Sequence, residues 1–300
     1  MYNEFYGMKE IPFGLTPNPK YIFKTESYLE VISNLKYCIS HYKGLVVVTG
    51  EVGTGKTTTL RSMIQHLGPE VLYVYILNPF LTVQEFFELV TDSFRLGLSP
   101  KASKPEILKA LTRCLALRHS KGLRTLLVAD EAHGLSPVVL EEIRLLANLE
   151  TNTEKLLQII LCGQPELRGT LNQPGLRQLK QRISLRCSIK PLAQFEVGKY
   201  IRFRLKTAGA ESMGIFDQEA VELIGRVSMG IPRVINNICD NALLQGYAAG
   251  LKVIGIQVIE DVIDTLDIST NDMSSGDPSE FGAWSTNQNQ RIFASDEPNN

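Results

Sequence analysis

The chain has 300 residues, and its 31 Lys and Arg against 32 Asp and Glu give a formal net charge of −1. Hydrophobic residues make up 44% and charged residues 21%, with 23 Gly and 14 Pro, which excludes a disordered or collagen-like chain. No apolar run reaches the roughly 18–20 residues that span a bilayer, and the N-terminus lacks the basic and apolar regions of a secretory signal.

A chain of this length exceeds the size at which one core usually stops growing, so two domains are expected. Residues 1–25 read as a leader rich in aromatics and prolines, among them Phe5, Tyr6, Pro12, Phe13, Pro17, Pro19, Tyr21 and Phe23. The prolines argue against a regular helix and the aromatics against disorder, so an extended leader packed on the folded domain is predicted.

Residues 26–42 read as a helix, followed by a short β-branched strand ending in Gly50. Leu72–Leu77 reads as a strand. Thr82 and Glu85 form a capping box ahead of Val83, Phe86, Phe87, Val90 and Phe94 at helical spacing. A loop at 96–104 and a helix at 106–117 follow. Arg124–Ala129 is a buried strand. Ser136-Pro137 opens a helix to about Asn148, and Leu156–Leu161 is a further strand. Strands separated by helices of this kind imply parallel βαβ units and a three-layer α/β/α fold over residues 26–191.

After Pro191 the pattern becomes helical, at 195–208, from Asp217 onward, at 231–250 and at 256–266. Residues 192–267 therefore read as a small all-α domain. Residues 268–300, rich in Ser, Asn, Asp and Gln, read as a disordered acidic tail that carries the lone Trp284.

The five cysteines and four histidines are dispersed and show no ligand spacing, so the cysteines read as reduced core residues. Pro174 to Lys206 holds nine Lys or Arg and one acid, Glu196. That stretch is a solvated face, a phosphate-facing interface or a nucleic-acid patch.

The strongest signal is Gly50-Glu51-Val52-Gly53-Thr54-Gly55-Lys56-Thr57, which fits GxxxxGK[ST] between a strand and a helix. Its glycines let backbone wrap a triphosphate, with the amides of Gly53, Gly55, Lys56 and Thr57 and the helix N-terminus turned to the phosphates. Thr58 continues that first turn. Lys56 would reach the β- and γ-phosphates, and the Thr57 hydroxyl would ligate Mg²⁺.

The second signal is an apolar strand that delivers Asp130 and Glu131 at its C-terminal end, the edge where ligands bind in open α/β sheets. Asp130 would hold Mg²⁺ through water, and Glu131 would polarise the attacking water. Gln164 could read the γ-phosphate. Arg182, or Arg177, could reach a neighbouring subunit's nucleotide as an arginine finger. Arg233, opening a helix of the small domain, could make that domain respond to phosphate. Asn78, at the end of the second strand, could hydrogen-bond Glu131 and hold it off the water.

In this order the motifs resemble those of the AAA+ ATPases. They look most like the general secretion pathway protein A group, through the leader Phe5-Tyr-Gly with Thr16-Pro-Asn-Pro19, Gly163-Gln-Pro-Glu-Leu167, Gln181-Arg-Ile and Gly230-Ile-Pro-Arg-Val-Ile-Asn. The resemblance covers residues 2–267. It implies a P-loop NTPase core with a helical lid, Walker A at Gly50–Thr57, Walker B at Asp130 and Glu131, sensor 1 at Gln164, an arginine finger at Arg182 and sensor 2 at Arg233. It also implies that the leader around Phe13 and Pro17 covers the adenine.

Members of that group usually continue into a membrane segment and a periplasmic peptidoglycan-binding domain, where this sequence carries a polar tail. The shorter architecture is similar to ATPases of exosortase and exopolysaccharide loci, and to those that select targets for transposition. The expected protein is therefore an oligomeric, Mg²⁺-dependent ATPase of the cytoplasm, held at the inner membrane through partners at most. It would serve an envelope-secretion or surface-polysaccharide machine. The alternative is a DNA-associated ATPase. A nucleotide-binding scaffold without turnover is disfavoured, because Lys56, Asp130 and Glu131 are all present.

Overall fold

The computed structural model describes residues 2–99 and 102–268. The tail expected at 268–300, with Trp284, lies outside the described residues beyond Ile268.

The chain opens with a single helical turn, α1 (Tyr2–Phe5), and enters the domain through α2 (Glu26–Ser40). Thr25 caps α2 by accepting from the Tyr28 amide at 3.0 Å. Then β1 (Leu45–Gly50), α3 (Lys56–Gln65), β2 (Val71–Ile76), α4 (Val83–Ser93), α5 (Lys104–Ser120) and β3 (Arg124–Ala129) alternate. They are followed by α6 (Pro137–Leu146), β4 (Gln158–Gly163), the short helices α7 (Glu166–Leu171) and α8 (Arg177–Gln181), and β5 (Ile183–Ile189). The Thr82–Glu85 capping box forms at the start of α4, and Ser136 caps α6.

The strands make one parallel sheet in the order β2-β3-β4-β1-β5. Every residue of β1 and β4 is buried, as is β3 after Arg124. Helices cover both faces of a parallel sheet, so central strands must be apolar throughout. One core, centred on Phe86, Leu127, Leu140 and Leu161, lies under α4, α5 and α6. The other, around Leu35, Val48, Leu60 and Val128, lies under α2 and α3. Leu156, expected to begin β4, precedes the strand, which starts at Gln158.

One strand is absent from the sequence expectation. β5 lies at a sheet edge, so only alternate positions are apolar (Ile183, Leu185, Cys187 and Ile189), with Ser184 and Arg186 between them. Its basic residue and its place inside the Pro174–Lys206 stretch mask that alternation.

After β5 the chain is helical, with α9 (Gln194–Thr207), α10 (Gln218–Ser228), α11 (Pro232–Ala248) and α12 (Ile256–Thr265). Asp217 caps α10 by accepting from the Ala220 amide at 2.7 Å. These helices share a third core with the leader: Tyr2, Tyr6, Met8, Phe13 and Tyr21 pack among Val197, Ile201, Ile235 and Leu243. The leader thus belongs to the helical lid. Polar contacts fix it there, with Tyr6 donating to the Leu251 carbonyl at 2.9 Å, the Lys9 amide to the Ala208 carbonyl at 2.9 Å, and Tyr2 to Asp240.

Arg204 is the hub of that attachment. It is 6% exposed, so the basic stretch is not uniformly a solvated face. Its guanidinium donates to the Pro12 carbonyl at 2.6 Å and to the Tyr200 hydroxyl at 2.8 Å, and lies 4.7 Å from the Tyr21 ring centroid. A buried cation requires partners of this kind. Arg204→Ala removes them and strands the Pro12 carbonyl, so unfolding by urea should show a loss of about 2–4 kcal/mol. An unchanged midpoint would mean that the leader is not held in this way.

Candidate functional site

The carboxyl ends of β1, β3 and β4 converge below the lid, and a cavity of about 360 Å³ opens there. Its floor is Gly53–Thr59, its far wall is Glu131 and Gln164, and its roof is Pro232, Arg233 and Asn236. The leader loop Gly14–Asn18 closes one side, together with Tyr21, Thr25 and Tyr28. The volume suits a small-molecule ligand.

The β1–α3 loop is shaped by packing on both flanks. Gly53 has φ +82°, and a Cβ there would sit 2.7 Å from Cβ of Arg233. The Arg233 amide donates to the Gly53 carbonyl at 3.2 Å. Lid and loop therefore meet backbone to backbone. The α3 ladder starts where the Thr59 amide donates to the Gly55 carbonyl at 2.9 Å, so the amides of Lys56, Thr57 and Thr58 precede it and form a polar helix N-terminus.

Lys56 is 6% exposed and folds back on the loop, donating from Nζ to the Gly50 carbonyl at 2.9 Å and the Glu51 carbonyl at 3.0 Å. Those carbonyls are neutral, and Lys56 makes no ion pair with a carboxylate among the described residues. Its charge is left to act on an anion in the cavity. Val52 lines the cavity and is 52% exposed, and Thr54 holds the loop by donating to the Glu51 carbonyl at 2.8 Å.

Asp130 is 2% exposed and takes three hydrogen bonds. The Thr57 hydroxyl donates to Oδ2 at 2.7 Å, the Tyr75 hydroxyl to the same oxygen at 2.9 Å, and the Glu131 amide to Oδ1 at 3.0 Å. Burial, with the Asp130 charge beside it, pushes the Tyr75 phenol well above its ordinary pKa, so it remains a donor. Burial, again with Asp130, raises the Cys162 thiol far above the ordinary range beneath the site. Cys38, Cys162, Cys187 and Cys239 are buried free thiols.

Glu131 follows at φ +50°, ψ +35°, a left-handed conformation uncommon for a residue with a side chain. Its Oε2 is buried and has no hydrogen-bond partner. Asp130 and the Thr57 hydroxyl form a hard oxygen pair of the kind Mg²⁺ takes, and that chemistry fits the ion.

The other expected site residues separate into two groups. Gln164 and Arg233 line the cavity. Arg177 and Arg182 are exposed around α8 and do not line it. Asn78 is exposed, and its Oδ1 accepts from the Phe80 amide at 3.0 Å. The expected bond to Glu131 is not made, because a short amide before Pro79 caps its own turn. Phe13 is 1% exposed and packs edge-on against Phe216, so it lies in the lid core, whereas Pro17 does line the cavity. Tyr75, His133, Arg204 and Tyr28 were not expected here. His133, next but one after Glu131, was the one most open to detection.

With this geometry in view, residues 39–171 match a family model described as an AAA domain. That match places an AAA domain within the chain. It is 44% identical over 250 residues to general secretion pathway protein A of Aeromonas hydrophila, covering 83% of this chain and 46% of that protein. The chain thus spans about half the length of that relative. It is also 24% identical over 245 residues to ATP-dependent target DNA activator B of Escherichia phage Mu, covering 79% of this chain and 71% of that one. Among solved structures, Cdc6p from Pyrobaculum aerophilum superposes with a TM-score of 0.64 at 18% identity, over 85% of this chain and 70% of the other. At that identity the likeness concerns the fold, which is that of a P-loop NTPase with a helical lid.

The contact between loop and lid is directly testable. Gly53→Ala forces a strained φ and a collision with Arg233, so the domain should lose about 1–3 kcal/mol in thermal or urea unfolding. A variant as stable as the wild type would show that the lid does not rest on the loop.

Proposed function

We propose that this ATPase binds ATP with Mg²⁺ in the cavity between sheet edge and lid, and works as an oligomeric motor or switch for an envelope-secretion or surface-polysaccharide machine. Residues 26–191 form the nucleotide-binding unit and 192–267 the lid. The observation that carries the chemistry is the meeting of the Gly50–Thr57 loop with Asp130, through the 2.7 Å bond from Thr57. The secretion role is supported by the 44% identity to general secretion pathway protein A over most of this chain.

Each residue has a defined task in this reading. The amides of Gly53, Gly55, Lys56, Thr57 and Thr58 bind the triphosphate, with Glu51 and Val52 shaping the loop. Lys56 Nζ exchanges its two carbonyl partners for phosphate oxygens. Thr57 and Asp130 would hold Mg²⁺, which supplies charge neutralisation on the phosphates when bound. Glu131, whose Oε2 makes no hydrogen bond, orients a water and accepts its proton. Gln164 and Arg233 read the phosphate from β4 and from the lid. Arg182, or Arg177 beside it, completes a neighbouring subunit's site, and its exposed position away from its own cavity suits that role. The protein would work in the cytoplasm, at the inner membrane only through partners. No described helix is long and apolar enough to cross a membrane.

Lys56→Ala should weaken ATP binding about 10–100-fold, as expected for loss of hydrogen bonds to a charged group. Glu131→Gln should bind ATP normally and lose about 10²–10⁴-fold in turnover, the usual worth of a general base. Calorimetry and a steady-state ATPase assay check both. Unchanged affinity in the first or retained turnover in the second contradicts the assigned role.

The similarity to target DNA activator B supports a second reading, in which the basic residues around α8 and β5 contact DNA phosphates. Turnover measured with and without double-stranded DNA across salt concentrations separates the two. The secretion reading predicts turnover indifferent to DNA. Strong stimulation that fades steeply with salt establishes the DNA reading instead.

A further inference from the structure

We propose that His133 is a positioning residue in which one ring nitrogen, Nδ1, alternates between the Gln164 amide and the Glu131 carboxylate and so ties the base to the strand end that reads phosphate. The inference rests on the assignment of Glu131 as the base.

Three observations carry it. Nδ1 of His133 lies 3.4 Å from Oε2 of Glu131 and 3.4 Å from the Gln164 amide nitrogen. The same Oε2 is the buried oxygen without a hydrogen bond. The approach is built into the backbone. A Cβ at Gly163 would meet the His133 amide nitrogen at 3.0 Å, so a side chain there would press the turn Ala132–Gly134 away from the end of β4 by a few tenths of an ångström.

The two contacts exclude each other. An Nδ1 lone pair accepts the Gln164 N–H and offers nothing to Glu131, leaving the carboxylate free to take a proton from water. An Nδ1–H donates to Oε2, engages the carboxylate and leaves the Gln164 N–H without its partner. Moving between them needs only tautomer exchange, in which one proton leaves Nε2 for solvent and one arrives on Nδ1. The His133 side chain is 25% exposed, so water reaches it. A shift of the Gln164 peptide when its side chain engages phosphate therefore selects the state of the base.

The test is steady-state kinetics on the full chain at matched protein concentration. It compares His133→Phe, His133→Gln and His133→Asn, with Glu131→Gln in parallel. An Asn amide sits where Nδ1 sits and can accept or donate, whereas a Gln amide reaches the Nε2 position and Phe only fills space. Phe and Gln should lower kcat about tenfold or more with KM within about twofold, as misplacement of a catalytic group does. Asn should stay within about threefold of the wild type. In a Glu131→Gln background, His133→Phe should cost nothing further. A merely structural histidine would instead give equal losses for Asn, Gln and Phe, and that pattern overturns the inference. So does wild-type kcat in both Phe and Gln while Glu131→Gln is inactive. Wild-type turnover in Glu131→Gln strikes the assignment of the base, and this inference with it.

Discussion

The hydrogen bond from the Thr57 hydroxyl to Asp130 Oδ2 is the constraint on which the site depends. It joins the tips of β1 and β3, which are separated in the sheet by β4. Only a parallel sheet with buried central strands delivers both tips to one edge in fixed register, because its strands run the same way and helices on each face prevent slippage. The apolar runs Leu45–Val48 and Leu126–Ala129 are therefore more than core. They set the distance between a cationic, amide-rich loop and an acidic pair. Burial, with the Asp130 charge, raises the Tyr75 phenol above its ordinary pKa, which favours it as a second donor on the same oxygen.

The lid adds a second constraint. Arg204 binds the leader to the C-terminal helices, while the Arg233 amide binds the start of α11 to the β1–α3 loop. The cavity thus has one wall, Gly14–Asn18, that belongs mechanically to its roof. A rotation of the lid would carry the leader with it and alter the wall facing the ligand. Leader and C-terminal helices share one hydrophobic core, which ties their positions together.

Much of this was legible in the sequence because the physics is local. Continuous apolar strands, the Thr82–Glu85 box, the Ser136–Pro137 start and the glycine-rich loop each carry their own signal within a few residues. What was illegible depends on distant partners. The leader was visible, yet its partners Arg204, Asp240 and Leu251 lie 192, 238 and 245 residues away. β5 was hidden because an edge strand needs only one apolar face and carries Arg186 on the other. Asn78 misled for the opposite reason, since a turn within two residues satisfies its side chain before any remote carboxylate can. His133 lies two residues after Glu131, but its bridging position depends on the close approach of its turn to Gly163.

The central claim is that the amides of the β1–α3 loop and the start of α11 close on one triphosphate. Hydrogen exchange of the backbone amides, measured with and without a non-hydrolysable ATP analogue and Mg²⁺, tests it most directly. Exchange should slow at residues 53–58 and 231–234 together. Slowing confined to other segments, or none at either of these two, would contradict the account.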